Sequence, residues 1–196
     1  MRQSADMRTQ AAAGEGKREM FGLFKRKLVP EGPFDFDDEI RIERPADHVY
    51  RLLDWSDPLN ALAAQGHRLR VGDGPGEWRL VMTGLEDHEY LIEIVETEPV
   101  VRYVFDSAPI PIIGRLERAR ETYSLEPMGG DACLVRVKVT AHFLPRLTER
   151  QLAHEQWMMG TACHNAVARL KIHAEQGAEA ARDAEMNESN GYRIEV

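Results

Sequence analysis

Residues 115–144, RLERARETYSLEPMGGDACLVRVKVTAHFL, contain two stretches of alternating apolar and polar residues around a glycine-rich turn. Residues 115–126 and 132–144 are each long enough for a strand, and the turn between them includes Gly129 and Gly130. Apolar residues at every second position predict an antiparallel pair with one buried face. Such a pair needs a further element to cover that face, so its neighbours in the chain decide the fold.

The covering element is predicted directly downstream, as one long helix. Thr148 and Gln151 have the spacing of a capping box, which marks a helix start. No proline follows before Gly177, so the helix could extend for about 28 residues and on the order of 40 Å. Its apolar stripe consists of Leu152, Met159, Cys163, Val167 and Leu170.

Further strands are predicted upstream of the hairpin. The chain starts with a strand over residues 36–43, a short helix after Pro45, and a second short helix over residues 58–65. Four more strand-like runs follow, separated by turn residues, over residues 67–71, 77–85, 90–98 and 100–106. The order predicts an α+β domain in which a curved antiparallel sheet of about seven strands wraps around the long C-terminal helix.

The ends of the chain differ from this central region. Residues 1–30 hold seven basic and three acidic groups, whereas the other 166 residues carry a net charge of −12. We expect a disordered basic tail over residues 1–32, the domain over residues 33–176 and a flexible tail over residues 177–196. Within the first tail, the stretch from Phe21 to Leu28 mixes apolar residues with three consecutive cations. This mixture favours either a weak contact with a membrane surface or a solvated tail whose Phe21 and Phe24 fold onto the domain.

Composition and motifs exclude several kinds of function. With 43% hydrophobic residues and no apolar run of ~18 residues or secretory leader, we expect a cytoplasmic globular protein. A net charge of −8 argues against nucleic acid as a partner. His154 and Glu155 lack the second histidine of a zinc-binding HExxH motif, and the glycines at 72, 74 and 76 lie between strands. We therefore expect no metal, no cofactor and no nucleotide site.

Two stretches carry a resemblance to a known superfamily. Residues 43–55, ERPADHVYRLLDW, resemble its opening helix, and residues 121–127, ETYSLEP, with Gly129 and Gly130, resemble its penultimate hairpin. Over residues 34–175 the chain resembles the START-like (SRPBCC) helix-grip superfamily, which includes polyketide cyclases, lipid-transfer domains and carriers of hydrophobic ligands. The resemblance implies the helix-grip fold with an internal cavity. Because this fold hosts different activities, it implies less about function.

Alternation along the strands identifies the side chains that would line such a cavity, if apolar residues point inward. Their aromatic, methionine and small side chains suit an adaptable apolar pocket for a lipid, polyketide or isoprenoid. The same residues could instead fill an ordinary core. The predicted pocket residues are Trp78, Leu80, Met82, Tyr90, Ile92, Tyr103, Phe105, Tyr123, Val137, Ala141, Phe143, Met159 and Cys163, with Trp157 as a further helix residue.

Two features depart from this apolar pattern. Glu121 shares a strand face with Ala119, Tyr123 and Glu117, so it is predicted to point toward the cavity. A carboxylate there could act as a general base or orient a polar ligand group, or it could lie exposed beside an arginine. In the segment 107–114 three isoleucines stand where a polar turn is expected, and exposed apolar residues there would need a function. The resemblance places this segment near the cavity mouth and so implies a hydrophobic cavity-mouth loop, or else the isoleucines fold back onto the helix ends. They are Ile110, Ile112 and Ile113.

Three classes of function follow. The first is a carrier or sensor that binds a hydrophobic small molecule in the cavity. The second is a cyclase or dehydratase-type enzyme that uses the same cavity, with Glu121 as the candidate catalytic residue. The third is an interaction module without a small ligand, which docks a protein or membrane through the sheet, the isoleucine loop or the basic tail.

Overall fold

A computed structural model describes residues 27–30, 32–188 and 193–196. Most of the predicted basic tail, including all but the last two residues of the stretch from Phe21 to Leu28, therefore lies outside the described residues. The elements in chain order are β1 (Phe34–Ile42), α1 (Ala46–Leu53), α2 (Ala61–Ala64), β2 (Arg68–Val71), β3 (Glu77–Val81), β4 (Glu89–Glu98), β5 (Arg102–Ile110), β6 (Leu116–Pro127), β7 (Cys133–Phe143), α3 (Glu149–Gln176) and α4 (Ala178–Glu188).

The seven strands form a single antiparallel sheet in the order β1-β7-β6-β5-β4-β3-β2. The hairpin of β6 and β7 lies near one edge, with Tyr123 opposite Val137 and Leu125 opposite Val135. The alternating side chains of β7 are buried on one face and exposed on the other. The predicted α+β class, the seven-stranded sheet and the long C-terminal helix are confirmed.

Helix α3 spans the predicted 28 residues. The Thr148 hydroxyl accepts a hydrogen bond from the backbone N–H of Gln151, and the Gln151 side chain accepts one from the Thr148 N–H. This reciprocal pair satisfies backbone donors that a helix start otherwise leaves without partners. The helix packs against β1, β7 and α1, and so covers the concave face of the sheet from one side.

Three local differences from the sequence prediction concern β5, β6 and the C-terminus. Strand β5 continues to Ile110, so the first half of the predicted isoleucine loop is strand. An irregularity in β6 between Leu116 and Arg118 turns Glu117 to solvent, contrary to its predicted place beside Glu121. In place of a flexible tail, residues 178–188 form helix α4.

Helix α4 is held by packing and by polar contacts, which explains why it is ordered despite its polar sequence. Ala181 is fully buried, and the Arg182 guanidinium donates to the carbonyl oxygen of Gln65 at 3.0 Å. The C-terminal residues also dock on the domain: the Ile194 N–H donates to the Asn165 side chain at 2.9 Å. These contacts supply the burial that the local sequence alone does not.

The two ends of the sheet differ in how tightly α3 closes them. The mouth end is the end of the sheet that has the β3–β4 and β5–β6 connections and the start of α3. The far end is the opposite end, with the β4–β5 and β6–β7 turns and the end of α3. In α3, residues 149–162 include no fully buried side chain, whereas Val167, Ala168 and Leu170 are buried. The helix therefore closes the far end of the sheet tightly and the mouth end loosely.

Candidate functional site

The concave face of the sheet brings together residues from five neighbouring strands. In one transverse row, Trp78 lies opposite Ile92, Ile92 opposite Ser107, Ser107 opposite Ala119, and Ala119 opposite Ala141. The next row toward the far end contains Phe105, Glu121 and Val139. The predicted pocket residues of the sheet thus share one face, with Cys163 and Met159 of α3 packed with the same core.

At the far end, this face is filled by aromatic side chains. Phe105 stacks on Tyr123 with ring centroids 6.1 Å apart and meets Trp55 edge-on at 5.4 Å. Tyr103 packs edge-on against Tyr50 of α1 at 5.7 Å. Three predicted pocket residues, Tyr103, Phe105 and Tyr123, therefore belong to a packed core here.

Toward the mouth end, several of the predicted residues remain partly accessible. The half-buried side chains are Trp78, Met82, Tyr90, Phe143 and Met159, whereas Leu80, Ile92, Val137, Ala141 and Cys163 are buried. Phe143 lies beside Phe34 of β1, with ring centroids 5.7 Å apart. Trp157, predicted from helical spacing to face the pocket, is instead 55% exposed and stacks on His154. It points outward because Glu155, two residues earlier, is the residue that faces the β5–β6 loop at Gly114.

Glu121 lies at the boundary between the filled and the accessible parts. Its side chain is half-buried and accepts two hydrogen bonds of 3.3 Å, from the Ser107 hydroxyl and from the Tyr123 phenol. The concave orientation expected from the alternation of β6 agrees with these contacts. Sequence reasoning missed Ser107, because the two prolines that follow it in the chain favour a loop for a stretch that is strand.

Burial raises the pKa of the Glu121 carboxyl, although the hydrogen bonds from Tyr123 and Ser107 and the positive charge of Arg169 oppose the rise. Burial likewise raises the pKa of Tyr90, and the Glu121 charge adds to that rise. Tyr90 and Glu121 lie on the same face of the sheet, because Tyr90 is opposite Pro109 and Glu121 is opposite Phe105 on the intervening strand β5. The site combines a carboxyl group whose pKa is raised with phenol and hydroxyl groups in an apolar surround.

Arg169 connects this site to helix α4. Its guanidinium lies 2.9 Å from the Glu185 carboxylate, which also contacts the buried His67 ring at 3.3 Å. The Nδ1 atom of His67 accepts a hydrogen bond from the Thr83 N–H, so the ring proton is on Nε2. Burial would raise the pKa of Glu185, but the contacts with His67 and Arg169 outweigh it and lower the pKa. No sequence signal indicates Arg169 or Glu185, because their pairing depends on how α4 folds back.

The isoleucine loop lies at the mouth. Ile110 and Ile112 are 49% and 44% exposed, whereas Ile113 is half-buried and bridges to Leu116. The loop approaches α3 at Gly114, where a methyl group added to the glycine would lie 3.5 Å from the Glu155 carboxylate. Two of the three isoleucines are therefore accessible to another molecule.

The structure gives little support for a reactive cysteine, a metal site or a membrane-spanning helix. Cys133 and Cys163 are buried free thiols, and burial raises the pKa of Cys163 to about 12, which disfavours the thiolate. Within the described residues, no group of three or more His, Cys, Asp or Glu side chains could hold a metal ion. In the same part of the chain, no helix has the length and apolar character needed to cross a membrane.

A cleft of about 500 Å³ lies outside the grip at the far end. It is open and separates α1 from the end of α3, with Arg44, His48, Leu59, His173 and Glu175 among its lining residues. Arg44 and Glu175 already bind backbone groups there, since Arg44 donates to the carbonyl oxygen of Glu175 and Glu175 accepts from the Glu43 N–H. These contacts fasten α1 to α3.

Comparison with known proteins shows the fold. No protein-family model and no curated protein sequence matches the chain. Among solved structures, DynU16, a protein from the dynemicin biosynthetic locus, matches with a TM-score of 0.54 and 18% identity over 74% of this chain. The chain spans about half the length of DynU16, 49%.

Two further structures match over most of their own length. A truncated norcoclaurine synthase from Thalictrum flavum has a TM-score of 0.53 and 16% identity over 80% of this chain and 96% of its own. CalU16 from Micromonospora echinospora has a TM-score of 0.50 and 18% identity over 84% of this chain and 90% of its own. The chain therefore shares the fold of these structures, the helix-grip fold that its sequence motifs predict.

Proposed function

We propose that the protein binds a hydrophobic small molecule carrying one polar group, held between the concave face of the sheet and the first half of α3. The observation that carries the proposal is the composition of this region. Half-buried Trp78, Met82, Tyr90 and Met159 offer apolar contact, while Glu121 sits at the inner boundary with hydroxyl partners. Ligand sites in proteins commonly combine an apolar wall with a few such polar groups.

The loose closure of the mouth end supports the proposal further. Because residues 149–162 of α3 have no fully buried side chain, a ligand can gain apolar contacts there without displacing a packed core. Residues at the far end cannot contribute in the same way, because Phe105, Tyr103 and Trp55 already pack on one another. The ligand region is therefore the mouth-side part of the predicted pocket.

The test combines native mass spectrometry of the purified protein with titration by the fluorescent apolar probe anilinonaphthalene sulfonate. We expect a retained small molecule or saturable probe binding, and at least roughly a tenfold loss of probe affinity in Met82→Trp and Met159→Trp. Val95→Trp is the matched control, because Val95 is 47% exposed and lies in β4 toward the far end. Absence of both a retained molecule and saturable binding contradicts the proposal.

The geometry of Glu121 favours a second candidate, an enzyme of the cyclase or dehydratase type in the same cavity. A carboxylate with a raised pKa can accept a proton from a carbon beside a carbonyl group, as the C–H electron pair passes into the enolate. Norcoclaurine synthase, by its name, is a synthase on this fold, which makes chemistry in the grip a reasonable expectation.

Glu121→Gln separates the two candidates. If the protein is an enzyme, this variant loses turnover of the retained molecule by about a hundredfold or more and keeps probe binding. If the protein is a carrier, the molecule extracted from both proteins is identical and stays unchanged on incubation. Glu117→Gln is the control, because Glu117 lies on the same strand but is exposed.

A further inference from the structure

One flank of α3 is fastened to the β1 edge of the sheet. The His164 ring lies 2.8 Å from the Asp38 carboxylate of β1, and the Lys171 ammonium group donates to the carbonyl oxygen of Arg41 at 2.9 Å. Strands β1 and β2 are the two opposite edges of the sheet. The other flank of α3 therefore faces the side of the grip that holds β2 and β3.

Helix α4 and the end of α2 contact that other flank. Arg169 lies two positions before Lys171 and therefore about 200° away around the helix. Its guanidinium pairs with the Glu185 carboxylate of α4 at 2.9 Å. On the same flank, Nδ1 of His173 accepts a hydrogen bond of 3.2 Å from the Gln65 amide. The side of α3 that is turned away from β1 is thus covered by α4 and by the residue after α2.

Helix α4 also reaches the segment that leads into β2. The Arg182 guanidinium donates to the carbonyl oxygen of Gln65 at 3.0 Å, and the Glu185 carboxylate lies 3.3 Å from the ring of His67, the residue before β2. We call these two contacts the latch. Because Ala181 is fully buried and Arg169 holds Glu185, α4 spans the distance from α3 to the β2 edge.

The latch lies beside the proposed ligand region. Nδ1 of His67 accepts a hydrogen bond of 3.1 Å from the Thr83 N–H, and Thr83 directly follows Met82. Trp78 lies opposite Val71 of β2, the strand that His67 precedes. Two half-buried residues of the ligand region, Trp78 and Met82, therefore lie on the strand next to the edge that α4 reaches.

The hydrogen bonding under α4 is incomplete. Within the described part of the chain, the buried Oε1 atom of Gln65 and the buried Nε2 atom of His67 have no hydrogen-bond partner, since the contact with Glu185 is close but not aligned as a hydrogen bond. Buried polar atoms without partners cost free energy. The attachment of α4 to the β2 side is therefore weaker than a fully paired one, as is typical of elements that open locally.

A single glycine joins α4 to α3. Gly177 separates the last residue of α3 from the first residue of α4, and its φ of 99° lies in the region that favours glycine. A methyl group added to Gly177 would meet no atom within 4 Å, so the connection is not crowded by neighbouring groups. A glycine at this place allows the backbone change that a hinge requires.

We propose that α4 is a strap that closes the side of the grip between α3 and β2, pivots at Gly177, and admits the ligand when the latch opens. The inference rests on the proposed ligand function, because it names the entrance to that site. Opening on this side leaves the contacts of α3 with β1 and the aromatic packing of the far end in place. The strap therefore controls how fast a ligand enters and leaves, more than how tightly it binds.

The first measurement needs no ligand, because Cys163 of α3 lies on the concave side and is only 3% exposed. Arg182→Gln with Glu185→Gln removes the latch in the full chain. Alkylation by iodoacetamide, mapped by mass spectrometry of peptides, should become about tenfold faster at Cys163 in this variant. The rate at Cys133, which is fully buried near the far end, should stay unchanged. Glu179→Gln with Asp183→Asn is the matched control, because both residues are exposed on the same helix.

The second measurement follows anilinonaphthalene sulfonate in a stopped-flow instrument. We expect the latch variant to bind and release the probe faster by the same factor, with an affinity within about threefold of the unchanged protein. A protein that binds no probe contradicts the proposed ligand function, while the alkylation rates still decide whether α4 covers the concave face. Probe rates that stay unchanged although Cys163 is alkylated faster would place the entrance elsewhere and overturn the proposal.

Hydrogen exchange of the α4 amides shows whether the helix detaches in each variant. If the latch variant keeps these amides protected, Ala181→Glu is the stronger change, because it places a charge in the buried contact of α4. Protection that persists in both variants contradicts a strap that opens. The proposal is also overturned if α4 detaches without faster alkylation of Cys163. Equal acceleration at Cys163 and Cys133 would mean that α4 holds the whole domain together and does not close an entrance.

Discussion

The two halves of α3 belong to one uninterrupted helix and yet meet very different surroundings. From Cys163 onward, side chains pack on β1, β7 and α1, and several, including Val167 and Ala168, are fully buried. Residues 149–162 begin with a capping box and have no fully buried side chain. Most of the buried contacts of α3 thus lie at the far end, whereas the mouth end is held mainly by the helix cap and by loops. A less tightly packed mouth end can adapt its side chains when a ligand binds.

The largest effect that this difference predicts is on stability. Leu170→Ala removes a buried side chain of the far half and should lower the free energy of unfolding by about 3 kcal/mol. Met159→Ala in the mouth half, where the side chain is half-buried, should cost about 1 kcal/mol or less. Urea denaturation followed by circular dichroism measures both, and equal losses would contradict the division of α3.

Glu121 gives a second prediction, because it sits where the two parts of the concave face meet. Since burial raises the pKa of its carboxyl in the folded state, the folded protein binds the proton more tightly than the unfolded chain. The protonated Glu121 carboxyl therefore contributes to the free energy of unfolding at pH values below the pKa that it has in the unfolded chain. This contribution is lost as the pH rises through the higher pKa that the carboxyl has in the folded protein. Glu121→Gln should therefore change the free energy of unfolding more favourably at pH 7 than at pH 4.

Denaturation curves at the two pH values measure this difference. Glu117→Gln supplies the comparison from the same strand, because its side chain is exposed and its substitution should have the same small effect at both pH values. A Glu121→Gln variant whose effect does not change with pH would show that the carboxyl is as well solvated in the folded protein as in the unfolded chain.

How much of the structure can be predicted from the sequence depends on whether a feature is determined by neighbouring residues or by residues far apart in the chain. The capping box at Thr148 and the alternation of β6 and β7 are local, and they predict the correct helix and sheet. The irregularity at Glu117 and the continuation of β5 through Pro109 depend on pairing with neighbouring strands, so periodicity alone assigns them incorrectly. The Arg169–Glu185 pair joins two helices, and a sequence pattern does not show which residues such packing brings together.

The same limit applies to the pocket. Alternation places Phe105 and Tyr123 on the concave face, where the structure also has them. It could not show that Trp55, which follows α1, fills the space in front of Phe105. Whether a concave face is a cavity or a core depends on which distant side chains reach it, and that information enters only with the tertiary structure.

The smallest effect tests whether the mouth half has room to spare. Gly160 lies inside α3, and a methyl group added there would meet no atom within 4 Å. Gly160→Ala should therefore stabilise the protein by about 0.5–1 kcal/mol, because alanine loses less conformational freedom in a helix and nothing crowds it. Gly177 is the matched opposite: it also has open space, but its φ of 99° is one that alanine tolerates poorly. Gly177→Ala should destabilise the protein by a similar amount. Thermal denaturation of the two variants should therefore give shifts in melting temperature of opposite sign. A loss of stability in Gly160→Ala would show that the mouth half of α3 is tightly packed.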